Sequence, residues 1–155
     1  MYEIKPDEFR LWRAFLAAQV AIVTGIESEL GGLTDVSLGD LEVLASINES
    51  GGRMRMAELA HSISASRSGL TRRVDRLKSQ GLVERASVPS DKRGAYAVIT
   101  SAGRRHLEDV MPGYQSLVAR RFLSVLESEE RETLLRLLER LNTAAAFDTE
   151  QANRL

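Results

Sequence analysis

The sequence predicts a mainly α-helical fold interrupted once by a small β-hairpin. Three observations carry this. Apolar residues recur at three- and four-residue spacing over most of the chain, in 9–30, 38–47, 70–77, 107–125 and 134–141. The pattern changes to strand-like segments only at 82–87 and 95–99, and the stretch 88–94 between them is charged and rich in turn formers. The basic charge is concentrated in the same central third. Segment 53–105 holds twelve Lys/Arg against four acids, a net of +8, while the rest of the chain carries −9, so the overall −1 hides a strong asymmetry.

Each element has its own signal. In 7–30, Phe9, Trp12, Leu16, Val20, Val23, Ile26 and Leu30 form one stripe, and Leu11, Phe15, Ala18 and Ile22 a second on the opposite side. A helix apolar on two sides is expected to be buried on two sides, with another subunit as the second partner. Gly31 and Gly32 end it. Ser37 is the expected N-cap of a helix carrying Leu38, Leu41, Leu44 and Ile47, which stops near Ser50-Gly51-Gly52. A short helix over 56–63 follows, then a break at Ser64-Ala65, then a helix from about Arg67 to Gln80 closed by Gly81. Thr100 or Ser101 caps a long helix, which Pro112 and Gly113 are expected to bend. Ser128, ahead of Glu129 and Glu130, is the expected cap of a last helix bearing Leu134, Leu135, Leu137, Leu138 and Leu141.

Composition narrows the function classes. With no cysteine, disulfides, thiolate metal sites and cysteine redox sensing are excluded. His61 and His106 belong to no cluster with ligand spacing, so no metal site is expected. The N-terminal stretch has no signal-peptide pattern and no run resembles a membrane span, so the expected location is the cytoplasm. No phosphate loop, nucleophile elbow or carboxylate pair appears, so neither catalytic residues nor a cofactor are expected and the chain reads as a non-enzyme.

The order of two short helices, a tight break and a charged hairpin describes a winged helix-turn-helix, whose second helix enters the major groove of double-stranded DNA. Stepping about 100° per residue from the core-facing Leu70 places Ser68, Thr71, Arg72, Asp75 and Arg76 together on the outward arc. Arginine bonds guanine O6/N7 bidentately, and small hydroxyl residues let the backbone approach the bases. Ser64, Ser66 and Arg67 sit where a helix N-terminus favours a phosphate. Arg73 completes the helix's set, and Lys92 and Arg93 put two cations at the hairpin tip. An amphipathic surface helix beside a solvated turn is the bland alternative. A winged-helix module for protein–protein contact, without DNA, is the competing function.

The stretches Ser66-x-x-x-Leu70-Thr71-Arg72-Arg73-Val74-Asp75-Arg76-Leu77, Gly81-Leu82-Val83-Glu84-Arg85, Asp91-x-Arg93 and Ile99-Thr100-x-x-Gly103 closely resemble the MarR family of bacterial regulators. The resemblance implies a homodimer joined through the first and last two helices and bound to a pseudo-palindromic operator, commonly as a repressor. It implies that Arg93 is the wing-tip DNA contact and that Asp91 orients it. It divides the chain into dimerisation helices at 1–36 and 100–147, a DNA-binding domain at 37–99 and a frayed tail at 148–155. It also implies a pocket for a small aromatic or carboxylate effector. The candidates to line it are Trp12, Arg13, Phe15, Gln19, Met54 and His106, although a core aromatic near the dimer seam is the simpler reading of Trp12.

Overall fold

Capping and turn chemistry set the element boundaries. The computed structural model describes residues 3–63, 65–88 and 91–152, with 88, 91–94 and 145–152 described by their backbone alone. The elements are α1 (Pro6–Leu30), α2 (Leu38–Glu49), β1 (Arg53–Arg55), α3 (Met56–Ser62), α4 (Arg67–Ser79), β2 (Val83–Val88), β3 (Asp91–Ile99), α5 (Ser101–Arg121), a 3-10 turn (Leu123–Val125) and α6 (Ser128–Ala152). Ser37 caps α2 by accepting from the Asp40 N–H at 3.2 Å. Gly51 and Gly52, at φ 84° and 92°, turn the chain from α2 into β1, and Gly81, at φ 73°, closes α4.

The three strands form an antiparallel sheet in the order β1-β3-β2. β1 pairs Met54 with Ala97, and β2 pairs Val83 with Ile99. β1 is absent from the sequence reading, because three residues, Arg-Met-Arg, are too few to show a period. β3 starts at Asp91 rather than 95, so 91–94 are strand and not turn, and the register shifts between Ser87 and Val88. The core of the winged helix is fully buried: Leu41, Val43, Leu44 and Ile47 of α2, Leu59 of α3, Leu70, Val74 and Leu77 of α4, and Val83 and Ala97 of the sheet. Each leucine buried this completely stabilises the fold by about 2 kcal/mol relative to exposure.

The chain divides into two compact units, Met1–Leu117 and Val118–Leu155. In the first, α5 continues without a break through Pro112. Gly113 makes room for Leu33, whose Cδ1 would lie 2.7 Å from any added Cβ. In the second, the Glu127 carbonyl accepts the first helical bond of α6 from the Arg131 N–H, and the Glu127 N–H donates to Glu130 Oε2 at 2.8 Å. Glu127, not Ser128, is therefore the N-cap. The Arg131 guanidinium ties the 3-10 turn to this end by donating to the Leu126 and Leu123 carbonyls. α6 extends to Ala152, past the expected start of a frayed tail at 148, and 153–155 lie outside the described residues.

α1 departs most from expectation. Its N-terminal two-thirds are exposed in the single chain, including Phe9, Leu11, Trp12, Phe15, Leu16 and Val20. By length and composition it is apolar enough to cross a membrane, with a mean hydropathy of 1.3 over its best window, contrary to the sequence reading. The two apolar stripes produce this average, and only Ile26 and Leu30 of α1 are buried.

Candidate nucleic-acid interface

The outer face of α4 is built from its N-cap. Ser66 Oγ accepts from the Gly69 N–H at 3.1 Å and lies 3.4 Å from Ser68 Oγ. The Ser66 hydroxyl thus ends the helix and presents the free N–H groups of the first turn. Leu70, Val74 and Leu77 face the core as the helical wheel requires. Arg67, Ser68, Thr71 and Arg72 are exposed. Among the described residues, Arg67 and Arg72 make no hydrogen bond or ion pair, so both guanidinium groups are available.

Two arginines of α4 are committed elsewhere. Arg76 Nε donates to Asp40 Oδ2 at 2.6 Å and its Nη2 to Asp40 Oδ1 at 2.7 Å. Asp40 is 1% exposed, whereas the Arg76 side chain keeps 52% of its surface. The hydrogen bond and charge of Asp40 raise the Arg76 pKa above its ordinary value. Arg73 Nη1 donates to the Gly39 carbonyl at 2.9 Å. A Cβ on residue 39 would run into that guanidinium, which accounts for the glycine. Arg73 and Arg76 thus bond to the N-terminus of α2, Arg76 while keeping half of its side chain exposed.

Asp75 also turns aside. It pairs with Arg85 of β2 at 3.0 Å, and Arg85 Nη2 donates to the Thr71 carbonyl at 3.4 Å, joining the wing strand to α4. Arg85 stands in the Gly81–Arg85 stretch of the resemblance, but its partners, which lie across a helix–strand turn, are not marked by the sequence pattern. On β1, Arg53 and Arg55 flank the Tyr96 ring at 4.3 and 5.7 Å from its centroid. Hydrogen bonding from Arg55 and then Arg53 lowers the Tyr96 pKa. At the root of β3, Thr100 Oγ1 donates to the Gly81 carbonyl at 2.7 Å and accepts from the Gly103 N–H at 3.0 Å. A Cβ at Gly103 would collide with the Leu82 carbonyl oxygen. This geometry accounts for Thr100 and Gly103 in the Ile-Thr-x-x-Gly stretch.

Ser64 lies outside the described residues, as do the side chains of Asp91, Lys92 and Arg93. The backbone carries the last three on β3, continuing the hairpin. The six pocket candidates are spread out. Trp12 and Phe15 stack at 6.0 Å between centroids on the exposed part of α1, beside exposed Arg13 and Gln19. His106 of α5 hydrogen-bonds to Thr34 Oγ1 at 3.0 Å, and Met54 lies half-buried on β1. Trp12 is therefore not a core residue of the single chain. An open groove of about 550 Å³ along α1 is lined by Pro6, Phe9, Arg10, Arg13, Ala14 and Ala17, and shares only Arg13 with the candidate set.

A capped, arginine-bearing helix on a helical core, followed by a three-stranded wing, defines a winged helix-turn-helix. The MarR family model matches residues 36–94, the span from the α2 cap into the wing. AbsC, a MarR family transcriptional regulator from Streptomyces coelicolor, has a similar solved structure, with a TM-score of 0.85 and 28% identity over 94% of this chain and 99% of that one. Sco3205, a MarR family regulator from the same organism solved in complex with DNA, is 27% identical with a TM-score of 0.85, covering 91% of this chain and 89% of that one. The HTH-type transcriptional regulator YkoM of Bacillus subtilis (strain 168) is 34% identical over 67 residues, 43% of this chain and 43% of its own length. The winged-helix part of the chain thus matches the MarR family model, and the chain as a whole is similar to MarR family transcriptional regulators.

Proposed function

We propose that the chain is a homodimeric, sequence-specific DNA-binding regulator that represses from a pseudo-palindromic operator and responds to a small aromatic or carboxylate effector. The observation that carries this reading is the uncommitted Arg72, exposed on the capped helix α4 between Ser68, Thr71 and Arg67. An arginine with no intramolecular partner can form the bidentate guanine contact without first breaking a bond. Arg67, Ser68, Thr71 and Arg72 form the helix's contact set, Ser66 and Ser64 the helix-start set, and Lys92 and Arg93, oriented by Asp91, the wing set. The protein–protein alternative fits less well. The exposed face of α4 carries no aromatic or large aliphatic anchor of the kind that protein interfaces favour.

Dimerisation through 1–36 and 100–147 is supported by the exposed Leu11, Trp12, Phe15 and Val20 of α1 and, separately, by the exposed Leu135, Leu137 and Leu141 of α6. The DNA-binding domain is then 37–99. A second copy over α1 removes the apolar surface that makes the helix resemble a membrane span, consistent with a cytoplasmic protein. The residues proposed to receive such an effector are Trp12, Arg13, Phe15, Gln19, Met54 and His106, among which Trp12 and Phe15 stack on α1.

The test is fluorescence anisotropy on tiled duplexes from the DNA upstream of the protein's own gene, with a scrambled duplex as control. Sedimentation runs in parallel. A preferred duplex bound by a particle of about twice 17.2 kDa is expected. Equal affinity for all duplexes, or a stable monomer, overturns the reading.

A further inference from the structure

The pair formed by Asp40 and Arg76 is unusual in what each partner exposes. Asp40 is buried, yet the Ser37 hydroxyl already caps α2 by bonding the Asp40 N–H, so the carboxylate is not needed for that end of the helix. Both carboxylate oxygens are used on one guanidinium. That fork is available to arginine and not to lysine. About one turn away, Arg73 donates a single hydrogen bond to the Gly39 carbonyl. The N-terminus of α2 therefore engages two arginines of the helix that also carries Arg72. Arg76 lies only about 40° around α4 from Arg72 and one turn along it. Its half-exposed side chain is on the side from which Arg72 projects.

This matters because every cation that neutralises a phosphate strengthens binding to any sequence. Selectivity falls when such cations are added around a base-reading residue.

We propose that Asp40 is a specificity-determining counter-charge: by holding the half-exposed Arg76 in a bidentate pair with its buried carboxylate, it withholds one cation per chain from the DNA backbone and leaves base reading on α4 to Arg72. The proposal rests on the DNA-binding reading above. Asp40 touches no DNA itself and acts through Arg76.

The test compares wild type, Arg76→Gln, Asp40→Asn and the double variant Asp40→Asn/Arg76→Gln. Each is titrated against operator and scrambled duplexes across a salt series, at temperatures where circular dichroism shows the variant folded. Arg76→Gln is expected to leave the slope of log K against log salt unchanged. Asp40→Asn is expected to steepen that slope on scrambled DNA by roughly 0.9 per chain and to narrow the operator preference. The double variant is expected to return the slope to the wild-type value. A purely structural pair predicts weaker binding in both single variants and no steepening. A slope in Arg76→Gln that is shallower by roughly 0.9 per chain means Arg76 already contacts phosphate, which overturns the proposal. A folded Asp40→Asn without steepening overturns it equally. If Asp40→Asn does not fold, the slope of Arg76→Gln decides alone. Absence of operator preference in the wild type refutes the DNA-binding reading instead, which keeps the two failures distinct.

Discussion

Gly103→Ala sets helix propensity against packing, and the two predict opposite signs. Alanine is favoured over glycine inside a helix by about 1 kcal/mol, so propensity alone predicts a more stable protein. The structure places the new methyl group against the Leu82 carbonyl oxygen and within 2.8 Å of Ile99 Cγ1. The first obstacle is backbone and cannot swing away. That carbonyl also accepts the Thr100 N–H at 3.0 Å and lies 3.2 Å from Thr100 Oγ1. Moving it weakens a bond worth about 1 kcal/mol, in addition to the roughly 1–3 kcal/mol typical of an overpacked site. The net expectation is about 2 kcal/mol of destabilisation. At roughly 2–4 °C per kcal/mol for a chain of this size, Tm should fall by about 4–8 °C in a calorimetric scan. Ala102→Gly, at the exposed neighbouring position, is the control and should cost no more than about 1 kcal/mol. An unchanged or raised Tm for Gly103→Ala refutes the argument, because it means α5 starts clear of the β2 root.

Arg72→Ala should cost roughly 1–3 kcal/mol on the operator and reduce discrimination against scrambled DNA; equal losses on both duplexes identify a phosphate contact. Arg93→Ala should make the salt slope shallower by roughly 0.9 per chain, nearly two per dimer, with little effect on folding. Asp91→Ala should weaken binding even though it removes a negative charge, and tighter binding would exclude an orienting role for Asp91. Burial, and then the hydrogen bond to Glu42 Oε1 at 2.8 Å, raise the Tyr114 pKa well above its ordinary value. The folded chain keeps this proton where the unfolded chain, titrating near about 10, loses it. Its contribution to stability is therefore complete below about pH 10 and declines as pH rises beyond that. Tyr114→Phe should flatten this alkaline slope in denaturant titrations, and identical slopes would contradict the assignment.

Local chemistry was legible in the sequence wherever cause and effect lie within one turn. Ser37 caps α2, Gly81 closes α4, Thr100 caps α5, and Leu70, Val74 and Leu77 face the core as their spacing requires. Reading failed where a polar side chain had two places to go. The wheel aimed Arg76 outward, where half of its side chain lies, but could not show its bond to Asp40, 36 residues earlier, or that of Arg73 to Gly39, 34 residues earlier. Asp75 was drawn to Arg85 across the helix–strand turn for the same reason. Long arginine side chains reach several ångströms beyond the face on which their Cα sits, so periodicity fixes the root of the side chain but not its tip. β1 escaped notice because it is held by its register with β3 rather than by any pattern of its own. The expected α6 cap moved to Glu127 because Glu130 could reach back to that N–H.

Between the last strand of the wing and the first turn of α5 stands a single residue, Thr100. Ile99 is already paired with Val83, and Ser101 is already helical. The hydroxyl of Thr100 bonds in both directions, to Gly81 behind it and Gly103 ahead. Such a joint has no slack: one peptide unit cannot absorb a rotation, and its side chain is held at both ends. The positions of the β3 end and the α5 start are therefore set by one side chain, and a change at residue 100 reaches both elements at once.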